Sequence, residues 1–334
     1  DVIPAGSSAQ FRRRLGAFAD VILDPSIVFS FDRSGFKRHK AQFDSSDLEV
    51  DMAGRTCVIT GGNSGLGFAA ACDLARLGAT VWILCRNEER AKEAVAEIVQ
   101  ETGNHEVYAA TIDLSDPHSI EQCTAGLALS KVDVLVNNAG ALLSARAEGS
   151  SGLEQTLATN LVGPLALTAG LLPLLRKGYR SRVVWVSSGG MYAKGLDADA
   201  LFDPPEPFDG VAAYAQTKRA MVVLNEMLSE RLGRSGIASH CMHPGWANTP
   251  GVEQSIPGFW RLTRSILRTP EDGADTIVWL AACDKAYFES GRFWFDRKVR
   301  RTHLVPGTRV SSKERQIFWE KVHHWANLSP EVWG

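Results

Sequence analysis

Disulfide chemistry has little to work with in this sequence. Six cysteines stand among 334 residues (Cys57, Cys72, Cys85, Cys123, Cys241 and Cys283), and none forms a C-x-x-C pair. That excludes a disulfide framework and a four-cysteine zinc site, and it points to a reducing, cytoplasmic setting. Other metal ligands are sparse too. His240 and His243 flank Cys241, and His323 adjoins His324, without carboxylate partners on an obvious helix face, so no metal is expected. A charge excess is missing as well, since 36 Lys and Arg face 38 Asp and Glu. That balance excludes a strongly basic nucleic-acid binder and a disordered, self-repelling chain. One leucine-rich uncharged run, residues 155–175, is long enough to be considered as a membrane span. Asn160, Gly163, Pro164 and Pro173 interrupt it, so it reads as a buried helix rather than a membrane span. No secretory signal is visible, and the chain opens on Asp1 rather than Met, which leaves room for residues ahead of it.

What is present is an ordinary globular composition, long enough for two domains or for one large α/β domain with extensions. From Arg55 onward short apolar runs alternate with helical stretches. Strands are expected at 56–60, 80–84, 106–111, 132–136, 182–186, 238–242 and 292–295, with helices at 64–77 and 88–101 among those between. That alternation implies βαβ crossovers and a Rossmann-type doubly wound parallel sheet of about seven strands. Residues 55–298 then form one domain. The remainders, 1–54 and 299–334, are too short to build cores of their own and are expected to pack on it.

The N-terminal extension is basic and aromatic. To residue 40 it holds Arg12, Arg13, Arg14, Arg33, Lys37, Arg38 and Lys40 against four aspartates, and across the extension Phe11, Phe18, Phe29, Phe31, Phe36 and Phe43 recur. Packing of these aromatics on the body is the expectation. Contact with acidic lipid is the alternative, and Pro25 counts against the long amphipathic helix it would need. In the C-terminal extension Trp319, Trp325 and Trp333 point to docking by aromatic burial.

Two constellations carry chemistry. Gly61, Asn63, Ser64, Gly65, Leu66 and Gly67 lie where the first strand ends and a helix begins. Glycines there permit a tight turn and the close approach of backbone N–H groups to a pyrophosphate. Further on, Tyr214 and Lys218 stand four residues apart, on one face of a helix, after a strand ending in Ser187 and Ser188. A phenol is a poor acid or base at neutral pH, and a neighbouring ammonium stabilises its phenolate. Such a set suits proton transfer to or from a substrate oxygen.

Together these motifs resemble the short-chain dehydrogenase/reductase family. Asp113-Leu114, Asn137-Asn138-Ala139-Gly140, Asn160, Pro244-Gly245, Ala247 and Thr249 follow in the family's order beside the expected strand ends. The resemblance implies Tyr214 as acid/base, Lys218 as the residue that lowers its pKa and holds the nicotinamide ribose, and Ser188 as the carbonyl-orienting hydroxyl. It implies Asn160 in a water-mediated proton relay, Asp113 beside the adenine, Asn138 bracing the central strand and Thr249 near the nicotinamide. A closer likeness lies in the retinol-dehydrogenase-like branch, through SDLEV (46–50), VSSGGM (186–191), PFDG (207–210), MHPGW (242–246), TPGV (249–252) and SGRFWFDRK (290–298). The activity so implied is hydride transfer between a nicotinamide cofactor and a carbonyl or alcohol. A catalytically silent NADP(H)-binding sensor on the same fold is the competing reading.

Cofactor choice turns on the end of the second strand, where Cys85 stands in place of an acid and Arg86 follows. Arginine there suits a 2′-phosphate, so NADP(H) is expected over NAD(H), unless Arg86 is held by Glu88 or Glu89. The substrate is expected to be apolar. Trp246, Phe259 and Trp260 are its candidate contacts, within a stripe of Ile256, Leu262, Ile266 and Leu267 that also fits a lid or core. Arg261, Arg264 and Arg268 read as exposed helix charges or as a greeting for an acidic substrate. The 194–210 insertion between Ser188 and Tyr214 is expected over the active-site mouth. The resemblance implies a homodimer through the helices carrying Asn160 and Tyr214, with 161–175 apolar enough for it, unless the terminal extensions cover that surface instead.

Overall fold

Runs such as TCVIT and RVVWV have no polar face to offer water, so both sides of their sheet must be covered. The computed structural model describes residues 27–304 and 307–334. Its sheet contains β1 (Thr56–Thr60), β2 (Thr80–Cys85), β3 (Val107–Thr111), β4 (Val134–Asn137), β5 (Arg182–Val186), β6 (Ala238–Met242), β7 (Phe293–Phe295) and β8 (Lys298–Val299). The spatial order is β3-β2-β1-β4-β5-β6-β7-β8, parallel except for β8. The seven expected strands are present, and the eighth is an addition. Asp296 and Arg297, at φ +49° and +57°, close a two-residue hairpin that Phe295 and Lys298 pair across.

Helices cover both faces. On one side Gly65–Arg76 and Pro270–Ala282 pack together over β1, β4 and β6. On the other lie the 155–175 segment and the long helix Gly210–Arg234. The 155–175 segment is buried but is not one helix. It divides into Gln155–Leu157, a π turn at Ala158–Val162, then Gly163–Gly170 and Leu172–Leu175. No helix among the described residues is long and apolar enough to cross a membrane. Because β1 has β2 on one side and β4 on the other, the order in which strands are added reverses between them, although all three run parallel. An open α/β sheet binds its ligands at such a point, outside the carboxyl ends of the strands.

Both extensions dock by their aromatics, as far as they are described. Phe31 and Phe36 are buried, whereas Phe29 is half exposed; Phe11, Phe18 and Arg12 to Arg14 lie outside the described residues. At the other end Phe318, Trp319, Val322 and Trp333 are buried in the same cluster as Leu161, Leu165 and Leu172. The apolar face expected to seat a second copy is therefore covered by the chain's own C-terminal segment. His323 is spent there too, its two ring nitrogens taken by the Trp319 carbonyl at 2.8 Å and the Trp333 indole N–H at 2.7 Å.

Candidate active site

The glycine loop is built so that backbone can approach backbone. Gly61 and Gly65 sit at φ +67° and +56°, a region that costs any other residue strain. A side chain at Gly67 would place its Cβ 2.3 Å from the Gly61 oxygen and 2.5 Å from Asn138 Nδ2. Ser64 occupies the N-cap of Gly65–Arg76, yet its hydroxyl caps none of the first-turn amides. Those N–H groups, at the positive end of the helix dipole, remain available to an anion. Asn138 donates through Nδ2 to the Thr60 carbonyl at 2.9 Å, and the Asn138 and Ala139 amides both donate to Thr60 Oγ1 at 3.0 Å. The ends of β1 and β4 are thus tied together under the loop.

At the far side of the loop Thr249 packs beside Gly65, and Leu66, Pro244 and Ala247 close around Gly273. Asp113 follows β3, its Oδ1 taken by the Ser115 amide and hydroxyl, and Leu114 is buried behind it. Cys85 is buried, accepts the backbone N–H groups of Gly62 and Asn63, and has its thiol pushed by burial up to about 11. Arg86 is exposed. Glu88 and Glu89 pair with Lys92 at 2.8 and 3.1 Å, and Arg86 makes no ion pair among the described residues. A cradle of uncapped amides fits the pyrophosphate of a nicotinamide dinucleotide.

Tyr214, Lys218, Ser188 and Asn160 converge at the ends of β4 and β5. Lys218 Nζ lies 5.5 Å from the Tyr214 ring centre and donates to the Val186 carbonyl at 2.8 Å. Burial lowers the Lys218 ammonium to about 8. Burial also raises the Tyr214 phenol, while a hydrogen bond with Ser188 pulls it down. The two serines separate cleanly: Ser187 is buried with its hydroxyl on the Lys218 carbonyl, and Ser188 is the one at Tyr214. Asn160 stands in the π turn, an irregularity that recurs at functional sites. Its Oδ1 accepts the Ala141 amide at 2.7 Å, and its Nδ2 donates to the Ala141 carbonyl and to Thr217 Oγ1. Thr217 in turn donates to the Tyr214 carbonyl at 2.8 Å, a link the motifs alone do not signal. A Cβ on Gly140 would meet both Asn160 Oδ1, at 3.4 Å, and Lys218 Nζ, at 3.5 Å.

The candidate substrate contacts are only partly brought together. Trp246 and Phe259 meet edge to face at 5.3 Å, but Trp260 turns its indole N–H to Asn248 Oδ1 at 2.8 Å. The apolar stripe splits, since Leu267 is core and Leu262 is 84% exposed. Arg268 is neither an exposed helix charge nor a greeting for substrate. It is fully buried and paired with Asp296. The 194–210 insertion docks its helix Ala198–Phe202 on the C-terminal helix Ser312–Trp325, through Asp199 and Lys321, and its far end on Leu143 and Arg146.

A family model for short chain dehydrogenases matches residues 55–258. Dehydrogenase/reductase SDR family member 12 of Homo sapiens is 42% identical over 284 residues, 84% of this chain and 89% of that protein. Retinol dehydrogenase 13 of Homo sapiens is 33% identical over 260 residues, 74% and 77% of the two chains. A short chain dehydrogenase from Escherichia coli CFT073, solved with NADPH, shares the fold at a TM-score of 0.61 and 24% identity, covering 76% of this chain and all of that one. The chain belongs to the short-chain dehydrogenase/reductase family, in its retinol-dehydrogenase-like branch, and is an oxidoreductase of that family.

Proposed function

We propose that the protein is an NADP(H)-dependent carbonyl reductase, interconverting an apolar aldehyde or ketone and its alcohol. The observation that carries this reading is the convergence of Tyr214, Ser188, Lys218 and Asn160 beside a glycine loop with uncapped amides. Bound nicotinamide supplies or accepts the hydride. Gly61, Asn63, Ser64, Gly65, Leu66 and Gly67 would hold the pyrophosphate, with Asp113, Leu114, Asn138, Ala139, Gly140, Pro244, Gly245, Ala247 and Thr249 completing the cleft. Arg86, unspent at the end of β2, would bind a 2′-phosphate and so favours NADP(H). The Escherichia coli neighbour was solved with NADPH, which agrees with that preference.

In reduction Ser188 hydrogen-bonds the carbonyl oxygen and Tyr214 gives it a proton. In oxidation Tyr214 takes the proton back. Lys218 supplies positive charge beside the developing phenolate, and Asn160 orders the relay that reprotonates it. Trp246 and Phe259 form the apolar wall for substrate. Residues 55–298 are the catalytic unit in this reading, with 1–54 and 299–334 completing it. Six buried, unpaired cysteines favour a reducing cytoplasm.

The test is a screen of aldehydes and ketones with NADPH and NADH, on wild type, Tyr214→Phe and Arg86→Ala. Turnover lost in Tyr214→Phe with NADPH binding retained supports an enzyme. A wild type that binds NADPH and turns over nothing supports the silent sensor.

A further inference from the structure

We propose that the N-terminal segment is a working part of the active site: Phe31, seated by Arg268, Asp296 and His39, positions the Ser188 turn and Trp246. This rests on the reading of Ser188 and Trp246 given above.

Two loops that carry site residues each contain a glycine whose missing side chain makes room for this one segment. A Cβ at Gly189, next to Ser188, would lie 2.5 Å from Cε2 of the Phe31 ring. A Cβ at Gly245, next to Trp246, would lie 2.8 Å from the Phe31 carbonyl oxygen and 2.4 Å from Arg268 Nε. The backbone agrees with the side chains. Trp246 N–H donates to the Phe31 carbonyl at 2.9 Å, and the Phe31 ring meets Trp246 edge-on at 6.2 Å and His243 at 4.5 Å.

The seat itself is a buried charge cluster. Arg268 Nε donates to the carbonyls of Phe31 at 2.8 Å and Asp32 at 3.2 Å, and Nη2 donates to that of Ser30 at 2.9 Å. Its Nη1 and Nη2 grip the two oxygens of Asp296 at 2.6 and 2.9 Å, and His39 Nδ1 meets Asp296 Oδ2 at 2.6 Å. Arg268, His39 and Asp296 are all buried, at 2% exposure or less. Arg268 also holds the Trp246 loop by its main chain, donating to the Trp246 carbonyl at 2.8 Å and accepting from the Asn248 amide at 2.9 Å. One arginine therefore fixes the segment and the loop to each other. An aromatic extension that merely covered surface would need no desolvated arginine spending its donors on three consecutive carbonyls.

The experiment compares wild type, Phe31→Ala and Phe31→Leu in reduction of the apolar aldehyde nonanal, with NADPH affinity and amide hydrogen exchange measured alongside. In Phe31→Ala the KM for nonanal should rise about tenfold with a smaller fall in kcat, while NADPH affinity stays within about twofold. Amide exchange should quicken at 187–193 and 245–248, and Phe31→Leu should restore most of both. Unchanged KM and unchanged exchange would overturn the proposal. So would a parallel loss of NADPH binding and Tm, which marks a purely structural residue. If wild type reduces no carbonyl compound, the proposed function falls, and the exchange of those two loops alone decides on the positioning role.

Discussion

The two halves of the sheet meet the site with their polar groups in opposite states. On the β1–β3 side the groups are unspent: first-turn amides are uncapped at Ser64, and Arg86 has no carboxylate among the described residues. On the β5–β7 side several of the groups nearest the site are consumed internally. Ser187 is tied to a helix carbonyl, Trp260 to Asn248, and Arg268 to Asp296 and three carbonyls of the N-terminal segment. Unspent donors suit a ligand that brings its own phosphates. A dry, prepacked wall suits one that brings little but apolar surface. In the proposed reading the nucleotide half would recognise charge and the substrate half would hold shape.

Tyr214 lies where the halves meet, and its loss should be the largest single effect. Tyr214→Phe should cut kcat by about 10³-fold or more, the upper range for a positioned acid/base, with NADPH affinity unchanged. Next comes the nucleotide half itself. Gly67→Ala would drive a Cβ into the Gly61 carbonyl and Asn138, so the loop has to shift. NADPH affinity should fall about 100-fold, since about 3 kcal/mol is a fair figure for a displaced charge-assisted contact set. Normal NADPH binding in Gly67→Ala would show that the loop does not hold the pyrophosphate. A smaller effect is expected at Arg86. Arg86→Ala should lower the NADPH-over-NADH ratio of kcat/KM about tenfold, by loss of one charge-assisted contact, with NADH turnover nearly unaltered. An unchanged ratio would remove Arg86 from cofactor choice.

The same contrast explains which parts are legible in the sequence. The nucleotide half is local: strand, glycine turn and helix are contiguous, and Cys85-Arg86 ends the next strand, so periodicity and punctuation place every piece. The Tyr214–Lys218 pair is equally local, one turn of one helix. The other half is assembled from distant segments. Arg268 and Phe31 are 237 residues apart in the chain, and helical spacing makes Arg261, Arg264 and Arg268 look like one solvated row. The π turn at Asn160 adds one residue to a helical ladder, which no change of composition marks. Strand β8 hangs on two left-handed residues, Asp296 and Arg297, in a hairpin without the Asn-Gly signature. Each miss concerns a conformation that a distant partner stabilises rather than the local residues.

Lys218 provides the smallest expected effect on activity, and the one that reads function and stability in opposite directions. Burial lowers its ammonium from an ordinary value near 10.5 to about 8, while the Tyr214 phenol is raised and stays protonated through neutral pH. The state fit for reduction, phenol beside ammonium, is therefore populated at pH 7. It is lost as pH rises through about 8, so reductive kcat/KM should fall about twofold between pH 7 and 8. Stability runs the other way. Because the folded-state pKa lies below the unfolded one, the unfolded chain binds more protons between pH 8 and 10.5. This group's contribution to stability therefore rises with pH across that window. Lys218→Met should accordingly be more stable than wild type at pH 7, by up to about 3 kcal/mol, with the gap closing as pH approaches 10. Chemical denaturation of both proteins at pH 7 and 9.5 checks this. A gap that is absent, or that widens with pH, would mean that Lys218 is not paying a desolvation cost for its place beside Tyr214.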